Sequence, residues 1–329
     1  MDRLWRRRWT LLLNRIPIAG GVDMMPSSFS QLVARSRERK GGRRVAVIAA
    51  DDAHTLEAVQ LAVEEGGITP VLIGNASRIA AFLAGRGVDA EALRIIDIPD
   101  PVAAARAAVG LVHAGKVEAL MKGRIETATM MKVIVDKTSD LRTGRIMSHL
   151  AMLEIPSYHK LLAITDVALN TSPDVAHKRQ IIENAVAALS AMGIDNPKVA
   201  VMASAEQINP KLIESVDAAE LKRLNQAGEI TGCIVEGPIS YDLAIDREAV
   251  AIKRYRSPVA ADADLMVVPN LVAGNLLVKA LIFSARAKFA GFIVGAKVPI
   301  VVTSRSSPTT DKYMSMVLAA AACPEFADA

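Results

Sequence analysis

The residues best suited to chemistry sit near the C-terminus, at Ser304, Arg305 and Asp311. Val298 to Thr303 is a short β-branched run that reads as a buried strand. The polar cluster Ser304-Arg305-Ser306-Ser307 follows, and then an apolar helical pattern of Tyr313, Met314, Val317 and Leu318. Ser307 as N-cap with Pro308 at the first helical position predicts a helix starting there. A strand tip feeding a helix N-terminus offers free backbone N–H groups and the positive end of the dipole to an anion. Arg305 can hold a phosphate through two parallel bonds, and Asp311 falls about one turn into the helix. One hydroxyl, one guanidinium and one carboxylate thus converge on a small anionic substrate. The plainer reading of the same residues is a capped helix with a solvated arginine.

The rest of the chain must position those groups. From Arg44 onward, strands and helices alternate. Val45–Ala50, Pro70–Gly74, Ile95–Ile98 and Val117–Met121 read as strands. Thr55–Glu65, Ser77–Ala84, Pro101–His113 and Thr127–Asp136 read as helices. Four β-α units in sequence imply a parallel sheet with helices on both faces. A second series begins after Pro156, with strands at Leu161–Thr165, Val199–Met202, Ile230–Glu236 and Leu265–Val268. Its helices fall within Pro173–Met192 and at Val216–Gln226, with a long apolar one at Ala273–Phe289. The strands Phe292–Val294 and Ile300–Val302 and the helix from Pro308 complete the chain. The simplest architecture is two doubly wound α/β domains with a cleft between them, and open α/β sheets bind ligands at the carboxyl ends of their strands.

Composition agrees with an enzyme of this class. The 329 residues suffice for about two domains. They are 51% hydrophobic but only 4% aromatic, so the core is built from Ala, Val, Leu and Ile, as buried parallel strands require. The formal net charge of +4 comes largely from Met1 to Arg44, and the remainder is nearly balanced, which does not indicate a nucleic-acid footprint. Two cysteines, Cys233 and Cys323, suit a reducing cytosol rather than a disulfide framework. In the basic N-terminal stretch, Asn14 and Arg15 stop the apolar run Leu11-Leu12-Leu13 far short of a signal peptide. No run is both long and uncharged enough to span a membrane. Residues 1–25 are therefore expected to be a disordered leader or an over-long start, with Met24 or Met25 as an alternative initiator.

Several common signatures are missing. No Gly-x-Gly-x-x-Gly follows the first strand, and neither a Walker A motif nor a Gly-x-Ser-x-Gly elbow is present. The five histidines are scattered without ligand spacing, so no metal site is expected. Both cysteines lie in apolar surroundings that raise a thiol pKa and leave it inert. Polar loops at the strand ends remain. They are Lys122-Gly123-Arg124, Leu141–Arg145, Thr165-Asp166 with Asn170–Asp174, Glu236-Gly237-Pro238, and Pro269–Asn275. Singly each is an ordinary turn; together they suit a phosphate-bearing ligand.

These blocks, in this order, resemble the phosphate acetyl/butyryltransferase family, and within it the phosphate butyryltransferases. The likeness runs from about Arg44 to Leu318 and is densest after Lys122. It is carried by Lys122-Gly123, Leu141–His149, Thr165-Asp166 with Asn170 and Pro173-Asp174, Glu236-Gly237-Pro238, Ser257–Ala260, Pro269–Lys279, Gly295–Pro299 and Thr303-Ser304-Arg305. The resemblance implies an isocitrate/isopropylmalate dehydrogenase-like fold. Residues 26–150 plus 290–329 would form domain 1, with domain 2 (151–289) inserted. It implies a homodimer in the cytoplasm, and the reaction of acyl-CoA and inorganic phosphate giving acyl phosphate and CoA. CoA is then a substrate, and no metal or redox cofactor is called for. It places catalysis on Ser304, Arg305 and Asp311. Lys122, Arg142, Gly144, Asn170, Asn270, Gly274, Asn275 and Lys279 would line the substrate site. Many relatives have Asp after Ser-Arg-x, where this chain has Ser307.

A thiol of pKa about 8.5 needs a base to attack an acyl phosphate at neutral pH. Asp311 would be that base, provided burial raises its pKa. Arg305 would hold the phosphate, and Ser304 would stabilise the oxyanion. Two other readings share the fold. A metal-dependent 2-hydroxyacid dehydrogenase would need an Asp cluster that the sequence does not show, and a catalytically inactive CoA-binding protein would not need to keep Ser304, Arg305 and Asp311 together.

Overall fold

The computed structural model describes residues 25–38, 42–304 and 307–323. The expected leader lies outside them but for Met25, which is buried, and so does Arg305. Helix α1 (Phe29–Glu38) buries Phe29, Leu32 and Val33, spaced i, i+3, i+4, against the core. The first series follows as β1 (Arg43–Ile48), α2 (Ala53–Glu65), β2 (Ile68–Gly74), α3 (Ala76–Ala84), β3 (Arg94–Asp97), α4 (Pro101–His113), β4 (Ala119–Lys122) and α5 (Thr127–Val135). Its helix starts are written in side chains. Asp52 accepts the Thr55 N–H at 3.1 Å, and Asp100 accepts that of Ala103 at 2.7 Å with Pro101 as the first helical residue. Such caps stabilise by about 1 kcal/mol each.

The second series comprises β5 (Ser148–Glu154), β6 (Leu162–Thr165), α6 (Val175–Ala191), β7 (Lys198–Met202), α7 (Ile213–Gln226), β8 (Ile234–Ile239), α8 (Tyr241–Ile245), α9 (Arg247–Lys253), β9 (Leu265–Val267) and α10 (Leu271–Phe283). The chain then returns through β10 (Lys288–Val294), β11 (Ile300–Val301) and α11 (Thr309–Ala321). Several elements differ from the sequence reading, among them helices α1, α8 and α9, which it does not contain. Strand β5 was not anticipated. Helix α10 ends at Phe283 rather than Phe289, where β10 has already begun, and β8 starts at Ile234 instead of Ile230.

Both series share one 11-stranded sheet in the order β3-β2-β1-β4-β11-β10-β5-β6-β9-β7-β8. Strands β3, β2, β1, β4 and β11 run parallel, as do β6, β9, β7 and β8. Between these blocks, β10 is antiparallel to β11 and to β5, and β5 is antiparallel to β6. The carboxyl ends of the two blocks therefore point in opposite directions along the sheet. One face carries a continuous core from Phe29 on α1 to Leu224 on α7, with Phe292 and Met152 at its centre. On the other face there are two cores, one around Ile48, Met130 and Ile293, the other around Leu153, Met266 and Val278.

Candidate active site

At the end of the first block, register brings three strand tips level. Lys122 of β4 pairs with Ile48 of β1, and Met121 with Val301 of β11. The Gly123 N–H donates to the Ile48 carbonyl at 2.8 Å and that of Arg124 to Ala49 at 2.7 Å. A Cβ on Gly123 would run into both those carbonyl oxygens, so the turn after Lys122 admits only glycine. Lys122 is buried, with Nζ 3.3 Å from the Gly123 carbonyl oxygen.

Beyond β11 the chain turns at Ser304, whose carbonyl accepts the Ser307 N–H at 3.1 Å. Helix α11 begins one residue later than expected. Pro308 is its N-cap and no side chain caps it, so Ser307 does not play that part. The Pro308 carbonyl receives the N–H groups of Asp311 (3.1 Å) and Lys312 (3.2 Å). Thr309 Oγ1 donates to Glu57 Oε2 at 2.8 Å and ties the start of α11 to α2. Asp311, the third residue of α11, is half-buried. Burial pushes its carboxyl up to about 6, against the opposing pull of the Lys312 charge and a hydrogen bond from Thr310.

Lys312 is a residue the sequence reading passed over. It is buried, and its Nζ donates to Thr303 Oγ1 at 3.1 Å and to the Ser304 carbonyl at 3.2 Å. It therefore fixes the backbone that presents Ser304. Burial lowers its pKa, and the charges of Asp52 and Asp311 oppose that shift. A buried ammonium beside two carboxylates is the arrangement that keeps its desolvation tolerable.

The other expected site residues gather elsewhere. Asp166, at the end of β6, accepts the N–H groups of Ala168 (2.9 Å), Leu169 (3.1 Å) and Asn170 (3.0 Å). Asn170 Nδ2 donates to Asp166 and, at 2.9 Å, to the Met147 carbonyl. Asn270 caps α10 by accepting the Ala273 N–H at 3.0 Å, and Asn275 Nδ2 reaches the Val167 carbonyl at 3.4 Å. A Cβ on Gly274 would lie 2.7 Å from Val268 Cγ2 and 2.9 Å from the Asp166 carbonyl oxygen. Gly274 and Asn275 seat α10 on the 166–168 turn, and Asn270 fixes its start. Arg142 is exposed and bridges in antiparallel fashion to Ala296, Gly144 takes a left-handed φ of 85°, and Lys279 lies exposed further along α10. The structure thus places Lys122, Ser304 and Asp311 together at one strand end. It places Arg142, Gly144, Asn170, Asn270, Gly274 and Asn275 around the oppositely directed strand ends.

His149 lies where the two cores of the second face meet. It is buried, and its Nδ1 has no hydrogen-bond partner among the described residues. Its ring takes the space over Gly291, where a Cβ would stand 2.6 Å from Cε1. Burial pushes the imidazole down to about 4, and the Asp166 charge offsets part of that, so the ring is neutral at neutral pH. His149 closes the Leu141–His149 block of the sequence, which assigns it no role. Nothing in its local pattern marks a strand residue at the junction of two cores. Among the described residues no three His, Cys, Asp or Glu side chains converge as metal ligands would.

The fold and this strand-to-helix site define a class, and comparison with known proteins names it. The sequence signature of the phosphate acetyl/butaryl transferases matches residues 98–320. The phosphate butyryltransferase of Clostridium acetobutylicum is 38% identical over 296 residues, 90% of this chain and 98% of that protein. The phosphate acetyltransferase of Thermotoga maritima is 40% identical over 282 residues, 86% of this chain and 96% of its own. Among solved structures, a branched-chain phosphotransacylase from Enterococcus faecalis superimposes with a TM-score of 0.76 at 34% identity, covering 86% of this chain and all of that one. The chain is a phosphate acyltransferase. It belongs to the phosphate acetyl/butaryl transferase family.

Proposed function

We propose that the protein interconverts short-chain acyl-CoA and inorganic phosphate with acyl phosphate and CoA, with butyryl or acetyl as the acyl group, by direct transfer in a ternary complex. The observation that carries this reading is Asp311, a carboxylate pushed up to about 6 in the first turn of α11, beside the Ser304 turn. A general base works best with its pKa near the operating pH. Asp311 takes the CoA thiol proton, Arg305 holds the phosphate as it leaves, and the Ser304 hydroxyl steadies the oxyanion on the carbonyl. CoA is a substrate, and neither metal nor redox cofactor takes part in the step.

The cleft would lie between residues 26–150 plus 290–329 and residues 151–289. Lys122 would line it beside Ser304 and Asp311, and Arg142, Gly144, Asn170, Asn270, Gly274 and Asn275 would line it from the oppositely directed strand ends, whereas Lys279 stands on the exposed outer face of α10. A homodimer would use the outer face of α10, where Val272, Leu276 and Phe283 are 63%, 63% and 73% exposed along one stripe that Lys279 shares. No helix among the described residues is long and apolar enough to cross a membrane, and the cytoplasm is the proposed location.

The test is phosphate-dependent CoA release from acetyl-, propionyl-, butyryl- and isobutyryl-CoA, read with a thiol reagent. Turnover with a clear optimum is expected, and loss of the Arg305 guanidinium in Arg305→Ala should lower it by about a hundredfold or more. A folded protein that binds CoA and turns over none of the four would overturn the reading, and full activity in Arg305→Ala would overturn the residue assignment.

A further inference from the structure

A cavity of about 500 Å³ opens between α6 and the far end of α11, over strand β10. Its size falls within the range of small-molecule pockets, roughly 300–1,000 Å³. Val294 and Pro299 lie at its floor above the fully buried Phe292, with Ala188 and Ala191 of α6 on one wall, Ala322 on the other, and Asn184 also lining it. The alanines leave the space open. At the rim stand two cations, Arg145 and Lys297, and no carboxylate lines any part of it. By contrast, Asp136 lines the groove between α4 and α5, and Glu206 and Glu236 line the crevice beyond β8.

The rim is built rather than incidental. The loops carrying the two cations are joined by the Arg142–Ala296 bridge and by the Lys297 N–H donating to the Leu141 carbonyl at 2.9 Å. Thr143 Oγ1 adds a bond to the Gly295 carbonyl at 2.7 Å. At Gly295, φ is 91° and a Cβ would collide with the Ile146 carbonyl oxygen, so this junction needs glycine. Lys297 meets Asp140 at 2.8 Å in an exposed pair, and Arg145 has no ion pair among the described residues. An exposed pair of that kind is worth about 0–1 kcal/mol, little enough for an incoming anion to displace.

The cavity lies away from Ser304 and Asp311, although its rim shares the loop that carries Arg142 and Gly144. Pro299 precedes β11, whereas Ser304 follows it, and Ala322 lies eleven residues beyond Asp311 along α11, about 16 Å at 1.5 Å per residue.

We propose that this cavity is a binding site for medium-chain carboxylates, with the alkyl chain over Val294 and Pro299 and the carboxylate between Arg145 and Lys297. An apolar floor under a rim where Arg145 has no ion pair among the described residues, and Lys297 only the exposed Asp140, selects an amphiphilic anion over a neutral amphiphile or a fully polar anion.

The test is calorimetric titration of octanoate into the full-length protein at neutral pH, with octan-1-ol as the uncharged control. It reads binding directly and needs no turnover, so it stands or falls separately from the proposed reaction. The expected result is saturable 1:1 binding that CoA does not displace. Octan-1-ol should bind about tenfold more weakly or worse, and Arg145→Gln should weaken octanoate by about tenfold. Ala191→Phe, which fills the space from the α6 wall, should abolish binding while circular dichroism and thermal midpoint stay near those of the parent. No saturable octanoate binding overturns the proposal. So does binding that CoA displaces, or that both Arg145→Gln and a folded Ala191→Phe leave intact.

Discussion

Replacing Asp311 by Asn should make the protein more stable and less active at neutral pH. Burial raises this carboxyl from an ordinary value of 3.8 to about 6. In the folded state a raised acid pKa favours the protonated form. Stability linked to this group is therefore full below about pH 4 and is lost as pH rises through 6. Two units correspond to about 3 kcal/mol, and Asp311 is only half-buried, so solvent screening reduces the effect to about 1–2 kcal/mol. Asparagine keeps the shape and removes the charge. The variant should therefore gain about 1–2 kcal/mol at pH 7.5, read as a higher urea midpoint, and almost nothing at pH 4. A gain of that size raises the thermal midpoint of a protein of this length by about 2 °C. Turnover should fall by about a hundredfold or more, because the amide cannot accept the thiol proton. Parent kcat/KM should decline below about pH 6 as Asp311 protonates. A variant no more stable than the parent at pH 7.5, or one equally stabilised at pH 4 and 7.5, would refute the account of Asp311 as a carboxylate held at a cost for its chemistry.

Two further outcomes follow from other sites. His149 titrates near 4 in the folded state against an ordinary 6.5, so the unfolded chain binds its proton first. Its contribution is intact above about pH 6.5 and is lost as pH falls through 4, at most about 3 kcal/mol. His149→Gln should flatten that part of the stability profile in urea titrations, and an unchanged slope between pH 6.5 and 4 would contradict the assignment. On the outer face of α10, Leu276→Lys puts a charge in the middle of the exposed Val272–Phe283 stripe. Analytical ultracentrifugation should find the parent a dimer and the variant mainly a monomer; a parent that sediments as a monomer removes the proposed interface.

What could be read from the sequence depended on whether a local signal decided the structure. Helix α4 was legible residue for residue, because Asp100 caps it, Pro101 opens it and its alanines repeat at helical spacing. Strand β5 was not. Ser148-His149-Leu150-Ala151-Met152-Leu153-Glu154 contains no β-branched residue and four kinds of good helix former, and its pairing with β6 and β10 imposes the extended form. Helix α10 reads as continuous through Phe289 because its apolar pattern does not pause. The chain breaks instead at Arg286, a non-glycine residue in the left-handed region at φ 58°, which no local pattern announces. Missing β5 also hid the antiparallel seam, so every polar loop seemed to face one way. Ser304 and Asp311 were found by their strand-to-helix context. Lys312 was missed because a lysine in an apolar helical pattern looks solvated until the Thr303 and Ser304 oxygens come within reach of its Nζ.

The place of β10 and β11 has a consequence for how the molecule is made. Both insert between β4 and β5, although residues 288–301 are synthesised long after either neighbour. While the chain is emerging from the ribosome, the inner edges of β4 and β5 stay unpaired, two apolar edges of the kind that recruit other strands. Closing the middle of the sheet joins residues more than a hundred positions apart, the slow kind of contact. Ser304 and α11 follow immediately. The proposed catalytic groups thus come into register only once the seam is shut, and a partly made chain has a fold in two unfinished pieces and no active centre.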